Sequence, residues 1–483
     1  MDADTGAAAV LEAHGRCSPA SWRVGEFVVP LRTKVGVRGY PGVDGALVAL
    51  GEALRRGRIG LGRPEASQPG AASAMRALDL TGGPAALPVW AALAGVEGDW
   101  TVASSSAAAL AAARATLGAA RATLGAAGAP LVAARAPLVA RGRERGVTAS
   151  VELMAALPWE LDGPFGLVVW RPPAERGVRR VRAELAAVAS ILAADGAAVL
   201  LQHKDEGARR SEREAEERFA SVATVAREGG WRVSVLSGPR PGPAPAPWTT
   251  GDAADELDRS GVDHTMAGHV SAGRASADRA VVGTFAADKL DAGTAVLLRA
   301  LAERDDLAGA ATGAPRAPPG GRLLDLGCGT GLLAQAALAG GAGSVVAVDE
   351  DLAAVRSTAA RLGRDARAKV VHADLLSPAA AGGPDVGDDE AGEAVACEVA
   401  ALTPGSFDEV WCNPPFHVGR QVVNALSRAF VAAAHEALRP GGVAWFVVNR
   451  ALPYAAELAT WAEHADLTPA GERAFTVWRA RRA

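Results

Sequence analysis

The most constraining feature of this chain is a strand that runs without interruption into a glycine turn and then into a helix. Leu323-Leu324-Asp325-Leu326 is an apolar run with one acid. Gly327-Cys328-Gly329-Thr330-Gly331 then places a glycine at every second position, and Leu332 to Ala339 continues as an apolar helical pattern. Glycines let the backbone turn tightly and approach other groups closely. A helix that opens at such a turn presents N–H groups without intrahelical partners. A second β-like run, SVVAVD, follows and ends at Asp349. Strands and helices alternating in this way predict a mostly parallel sheet covered by helices.

The pattern occurs twice. RALDLTGG (76–83), an apolar helix and a second β-like run form the same order in the first half. FDEVWCNPPFHVGR (407–420) has a counterpart in FGLVVWRPPAERGV (165–178), and AFVAAAHEALRPGGVAWFVVN (429–449) in ELAAVASILAADGAAVLLQHK (184–204). The order and spacing predict two copies of one α/β fold. The 483 residues suit two or three domains. The Pro-rich run SGPRPGPAPAPW (237–248) breaks the chain near its middle. The expected division is a first domain over 1–240, a linker over 241–270 and a second domain over 271–483. An acidic Gly-rich stretch (379–394) reads as an insertion. The microduplications RATLGAA (114–120, 121–127) and APLVAAR/APLVAR (129–141) read as extensions of a surface helix or loop.

Composition narrows the class. With 49% hydrophobic and 22% charged residues, wholesale disorder is excluded. No apolar run is long enough for a membrane span, and MDADTGAAAVLEAHGRC lacks the basic start of a signal peptide, so a cytoplasmic chain without a membrane partner is expected. The four cysteines form no CxxC pair, so neither a metal site nor a disulfide framework is expected. The first 250 residues carry net charge +5 and the remainder −9. A mildly basic first half suits an anionic partner such as RNA, and equally suits an ordinary solvated surface.

Three acids end successive strands: Asp325, Asp349 and, after AKVVHADLL (368–376), Asp374. An acid after the second strand accepts hydrogen bonds from ribose hydroxyls, and Asp374 is placed to meet an adenine amino group. A dinucleotide fold would space its glycines G-x-G-x-x-G, unlike Gly327, Gly329 and Gly331. The series resembles the S-adenosylmethionine pocket of class I methyltransferases. It assigns Asp325, Gly327, Gly329, Asp349 and Asp374 to the cofactor. Cys328 reads as a small turn residue rather than a nucleophile.

Asn413-Pro414-Pro415-Phe416-His417 closes the strand FDEVWC. The exocyclic amine of a base is a poor nucleophile because its lone pair is delocalised. Asn413 Oδ1 and the Pro414 carbonyl can each accept a hydrogen bond from that NH2 and hold its lone pair toward a methyl donor. Pro415 stiffens the loop, and Phe416 offers a face on which a base stacks. His417 either hydrogen-bonds the base or caps the loop. Trp411, Trp445 and Trp478 read as core.

NPPFH, followed by V-x-x-A-L-x-x-A-F, L-R-P-G-G and V-N-R-x-L-P-Y, resembles the RsmC/RlmG family of bacterial rRNA guanine-N2 methyltransferases. TFAADKLDAGTAVLL (284–298) resembles the family's segment before the cofactor domain, with Ala286 in place of the usual serine. By that resemblance Phe285 and Thr294 help cover S-adenosylmethionine. The likeness is firm over 271–483 and looser over 30–235, where the family carries a degenerate methyltransferase-like domain. HKDEGARRSEREAEERF (203–219) and RTKVGVRGYPGVDGAL (32–47) resemble its RNA-facing segments. The resemblance implies two tandem Rossmann-like class I methyltransferase domains with seven-stranded-type sheets. The first, with Arg171 in place of the amide, would dock RNA without binding cofactor. The implied substrate is a guanine of 16S rRNA in the small (30S) subunit. The alternatives are 23S rRNA in the large subunit, another planar amine (adenine N6 or a protein glutamine), or a non-catalytic RNA-binding assembly factor.

Overall fold

The computed structural model describes residues 16–59, 75–96, 98–126, 131–132, 138–141, 148–240, 242, 248–250, 279–282, 284, 290–304, 315–374, 402–415, 417–418, 421–422, 424–452, 454–459 and 461–483. The chain divides into two units, Cys17–Pro247 and Trp248–Ala483, the latter joined by the residues up to Arg16. The division falls inside the Pro-rich run, although a strand continues into that run as far as Pro239. Most of the expected linker (241–270), and the acidic insertion at 379–394, lie outside the described residues.

In the first unit, strands β1 (Ser18–Val24) and β2 (Phe27–Thr33) pair as a hairpin. Helix α1 (Gly45–Arg55) follows, capped by the Asp44 side chain, which accepts from Ala46 N–H at 2.7 Å. The sheet is then built from β3 (Arg76–Leu80), α2 (Ala86–Leu93), β4 (Gly98–Ser104), α3 (Ala107–Ala126), β5 (Leu131–Val132), β6 (Leu138–Arg141), β7 (Thr148–Ala155) and β8 (Phe165–Trp170). It is completed by α4 (Val178–Ile191), β9 (Leu192–His203), α5 (Ala208–Glu216), β10 (Phe219–Glu228) and β11 (Trp231–Pro239). The strand order is β10-β11-β9-β8-β3-β4-β7-β6-β5.

That sheet has nine strands, against the seven expected. The microduplications account for the difference. The two RATLGAA copies lie in α3 apart from the last residue, as expected of a helix extension. The APLVAAR/APLVAR pair instead supplies β5 and β6, an antiparallel hairpin added to the edge at β7. Its Leu-Val dipeptides suit an extended strand better than a helix.

The second unit contains β12 (Trp248–Thr250), β13 (Arg279–Val281), α6 (Ala292–Glu303), β14 (Arg322–Leu326), α7 (Leu332–Ala339), β15 (Ser344–Asp349), α8 (Leu352–Leu362) and β16 (Ala368–His372). There follow β17 (Phe407–Cys412), β18 (His417–Val418), β19 (Gln421–Val422), α9 (Asn424–Ala437), β20 (Leu438–Asn449), α10 (Tyr454–Leu458), β21 (Glu463–Asp466) and β22 (Phe475–Arg481). Its sheet runs β16-β15-β14-β17-β20-β22-β21, with β22 antiparallel to β20 and β21 and the other neighbours parallel. Read from β7, the first unit has the same order: β7-β4-β3-β8-β9-β11-β10, with the antiparallel strand at the same place. The internal repeat seen in the sequence is thus a repeat of topology, strand for strand.

The central strands read as near-continuous apolar runs because helices cover both faces. Trp411 and Trp445 are fully buried with Val447 and Val477, as expected, whereas Trp478, also expected in the core, is half-buried. One ion pair is buried among them. Arg304, just past α6, donates to Glu409 Oε1 at 2.6 Å and Oε2 at 3.0 Å. The Trp411 indole donates to Glu409 Oε2 at 2.9 Å, and the Arg304 guanidinium lies 4.9 Å over the Trp445 ring. Among the described residues, no helix is long and apolar enough to cross a membrane.

Candidate functional site

The carboxyl ends of β16, β15, β14 and β17 lie side by side. The order places β14 between β15 and β17, the point at which the sheet winds in opposite directions and ligands bind in open α/β folds. Four predicted elements meet there: the glycine turn after β14, Asp349 at the end of β15, Asp374 beyond β16 and Asn413 directly after β17.

The turn needs its glycines. Gly327, Gly329 and Gly331 have φ of 81°, 53° and 80°, a region costly for other residues. A Cβ at Gly331 would meet Thr358 at 3.0 Å. The backbone is braced on both sides. Gly327 and Cys328 N–H donate to Val348 O, Thr358 Oγ1 donates to Gly329 O at 3.1 Å, and Arg361 donates to Thr330 O at 2.7 Å. Thr358 and Arg361 on α8 were not found from sequence. They sit beyond the second strand, and no motif spacing marks them.

The three acids occupy different depths. Asp325 is fully buried beneath the turn, where its Oδ2 accepts from Ala334 N–H at 2.9 Å. It therefore braces the start of α7 from below and has no exposed atom with which to touch a ligand, in contrast to the expectation for it. Burial pushes its carboxyl up to about 7, with the Ala334 N–H opposing and the Asp349 charge adding. Asp349 and Asp374 are half-buried at the edge. Asp349 Oδ2 accepts from Gly329 N–H at 3.0 Å and its Oδ1 from Asp351 N–H at 2.9 Å. Burial also raises both the Cys328 and Cys412 thiols well above their ordinary value, which suits small core residues rather than nucleophiles.

The raised carboxyl of Asp325 has a measurable consequence. A group raised in the folded state stabilises fully below its unfolded value, near 4, and loses that contribution as pH climbs through about 7. Each pH unit in that window removes about 1.4 kcal/mol at most. Asp325→Asn keeps an acceptor for Ala334 and carries no charge. Denaturant melts at pH 5 and pH 8 should show the variant gaining on the wild type at pH 8 by a few kcal/mol. An equal difference at both pH values would contradict this.

Asn413 is half-buried, Pro414 buried and Pro415 exposed. The Asn413 Nδ2 donates to Asp291 Oδ2 at 2.8 Å and to Thr294 Oγ1 at 3.0 Å. Thr294, expected to help cover a cofactor, is buried with its hydroxyl between Asp291 and Asn413. Asp291 was visible in the sequence only as part of a matched segment, although an Asp immediately before an apolar helical run is a helix-start signature. Phe285 and Phe416 lie outside the described residues, as does the side chain of His417. Asn449 Oδ1 accepts from Ala451 N–H at 2.9 Å and Tyr454 is buried, so both serve a turn and the core.

At the corresponding edge of the first unit the chemistry differs. Asp79, in the place of Asp325, accepts from the N–H and hydroxyl of Thr81 at 2.9 and 2.7 Å. Ser104 stands at the end of β4, where β15 ends in Asp349. Arg171 directly follows β8, as Asn413 follows β17, and pairs with Asp44 and Glu206. Among the described residues no group of acids, histidines and cysteines could hold a metal ion.

The second unit has the fold of class I methyltransferases. Residues 279–386 and 388–479 match the family described as Methyltransferase small domain. The chain is similar to the Ribosomal RNA small subunit methyltransferase C of Alcanivorax borkumensis, 32% identical over 199 residues, covering 41% of this chain and 50% of that protein. It is also similar to the Ribosomal RNA large subunit methyltransferase G of Streptomyces griseus, 37% identical over 201 residues, covering 41% of this chain and 43% of that one. The chain thus spans about half the length, or less, of these curated relatives. A solved structure, the T. thermophilus 16S rRNA N2 G1207 methyltransferase (RsmC) in complex with AdoMet and guanosine, superposes with a TM-score of 0.62 at 26% identity. It covers 98% of this chain and all of that one. The family resemblance drawn from NPPFH and the glycine turn agrees with these relatives.

Proposed function

We propose that this protein transfers a methyl group from S-adenosylmethionine to the exocyclic N2 of a guanine in ribosomal RNA, in the small subunit. The observation that carries this reading is the orientation of Asn413. Both hydrogen-bonding partners of its Nδ2 lie inside the protein, so its Oδ1 is left to accept from a substrate amine. The residues at the edge suit the cofactor. The glycine turn leaves backbone room, and Asp349 and Asp374 offer acceptors for ribose hydroxyls and an adenine amino group. The cofactor, when bound there, supplies an electrophilic methyl group. Asn413 Oδ1 and the Pro414 carbonyl then accept from the guanine NH2, draw its lone pair out of conjugation and align it. In this reading Phe416 offers the face on which the base stacks, Pro415 stiffens the loop, and His417 either hydrogen-bonds the base or caps the loop. The methylated amine is acidic enough to lose its proton to water, so no strong base is required. The base must leave its stack to reach this loop.

In this reading the first unit docks RNA and binds no cofactor. Thr81, Ser104 and Arg171 replace the groups that would bind cofactor and amine. Two adjoining recesses of about 280 and 590 Å³ at the carboxyl end of β9 support the docking role. Lys204, Arg209, Arg210, Arg213 and Arg227 line them without a side-chain partner among the described residues, while Arg232 is held by Glu212. Arg209→Ala with Arg227→Ala should weaken RNA binding and flatten its salt dependence by about one unit of slope for each phosphate no longer neutralised. Cofactor affinity should stay unchanged. An unaltered salt slope would rule this surface out.

The small-subunit choice rests on the full-length likeness to the 16S rRNA enzyme. The large subunit is the second reading, favoured by the 37% identity to the Streptomyces protein over the second unit. Labelled S-adenosylmethionine offered with 30S subunits, 50S subunits and both naked rRNAs, followed by nucleoside analysis, tests both. N2-methylguanosine in 16S rRNA is the expected result. Label in 23S rRNA selects the second reading. Label on adenine N6 or on protein glutamine, or none, overturns the guanine assignment.

A further inference from the structure

We propose that Asp291 is a positioning residue whose carboxylate decides which end of the Asn413 amide faces the substrate amine. The inference rests on the reading above. The two ends of a carboxamide are nearly equal in size, so packing alone does not choose between them. The choice falls to the hydrogen-bonding partners. An ionised carboxylate is an acceptor only. Asp291 Oδ2 already takes the N-terminal N–H of Thr294 at 2.9 Å and its hydroxyl at 3.3 Å. Because the Thr294 hydroxyl donates to Asp291, it presents a lone pair to Asn413. Asn413 therefore faces two acceptors. Its NH2 turns inward, because a flipped amide would set its oxygen against the Asp291 carboxylate, which cannot donate. The space for this approach comes from Gly293, where a Cβ would lie 3.1 Å from Asp291 Oδ2 and 3.4 Å from Asn413 Oδ1.

The first unit repeats the arrangement with another occupant. Asp44 caps α1 as Asp291 caps α6, each one residue before the helix. Asp44 Oδ2 holds the guanidinium of Arg171, the residue in the place of Asn413. The helix-capping carboxylate is thus a socket that takes donor groups from the loop after the fourth parallel strand. An amide anchored there still turns an acceptor outward. A guanidinium has no acceptor to turn. The same socket therefore yields an amine-binding oxygen in one unit and a closed ion pair in the other.

The chain contains only three asparagines, Asn413, Asn424 and Asn449. Protein labelled with 15N-asparagine therefore gives three side-chain NH2 signals, and Asn413→Asp identifies its own by removing it. Asp291→Ser keeps a helix cap but is too short to reach Asn413. In the full-length chain, exchange of the Asn413 NH2 protons should be slow and should quicken by about tenfold or more in Asp291→Ser. In the labelled-methyl assay, kcat should fall about tenfold or more, with KM for cofactor and RNA little changed. Asp291→Asn, which keeps an oxygen in reach, should retain most of both. Equal exchange in wild type and Asp291→Ser overturns the socket. Faster exchange with unchanged kcat overturns the positioning role. If the wild type methylates no guanine, the functional reading falls, and the exchange rates still decide whether Asp291 anchors the amide.

Discussion

Asn413→Ala is expected to leave cofactor binding intact and to reduce methyl transfer by about 10²-fold or more. The size follows from the role. In the proposed role the amide oxygen aligns a weak nucleophile, and loss of such alignment costs rates of that order. The separation of effects follows from position. Asn413 stands at the end of β17, whereas the glycine turn and Asp349 belong to β14 and β15. The hydrogen bonds that Asn413 makes go to Asp291 and Thr294, not to the turn. Isothermal titration with S-adenosylmethionine, followed by single-turnover transfer, measures both. If Asn413→Ala transfers methyl at the wild-type rate, the role given to Asn413 is wrong. If it also fails to bind cofactor, the two halves of the site are not separable as drawn.

The largest expected effect on stability is at Arg304. Its guanidinium and the Glu409 carboxylate are both buried and joined by two hydrogen bonds. Arg304→Met leaves Glu409 charged and without its counter-ion beneath the sheet, which costs about 3–5 kcal/mol. For a unit of this size that lowers the melting temperature by roughly 6–20 °C. Arg304→Met with Glu409→Gln removes both charges and keeps an acceptor for the Trp411 indole. The double variant should regain half or more of the loss. Calorimetry of the three proteins decides the matter. A single variant that melts within about 2 °C of wild type would mean the pair contributes little.

Much of the site was legible from local pattern. A glycine that must adopt positive φ, or an acid that ends a strand, is marked by its own residue type and spacing. Gly327, Gly329, Asp349, Asp374 and Asn413 could be named for that reason, and parallel strands bring their ends to one edge. Depth was not legible. Asp325 and Asp349 look alike as strand-ending acids, yet one is sealed beneath the turn and the other is half-exposed. Burial depends on what packs above a residue, and α7 does that for Asp325 through Ala334.

The sequence by itself determined the class of fold, its duplication, and the residues of the turn and of the loop after β17. Those features are local, because backbone conformation and strand periodicity are set by neighbouring residues. The tertiary structure alone decided that the APLVAAR/APLVAR repeat adds two strands rather than a loop, since edge pairing requires a partner strand. It also decided that Thr294 faces Asn413, and that Asp291 and Asp44 serve as matching sockets. Those interactions join residues about 120 or more positions apart in sequence, and only the packing of a helix start against a strand end brings a carboxylate to an amide there.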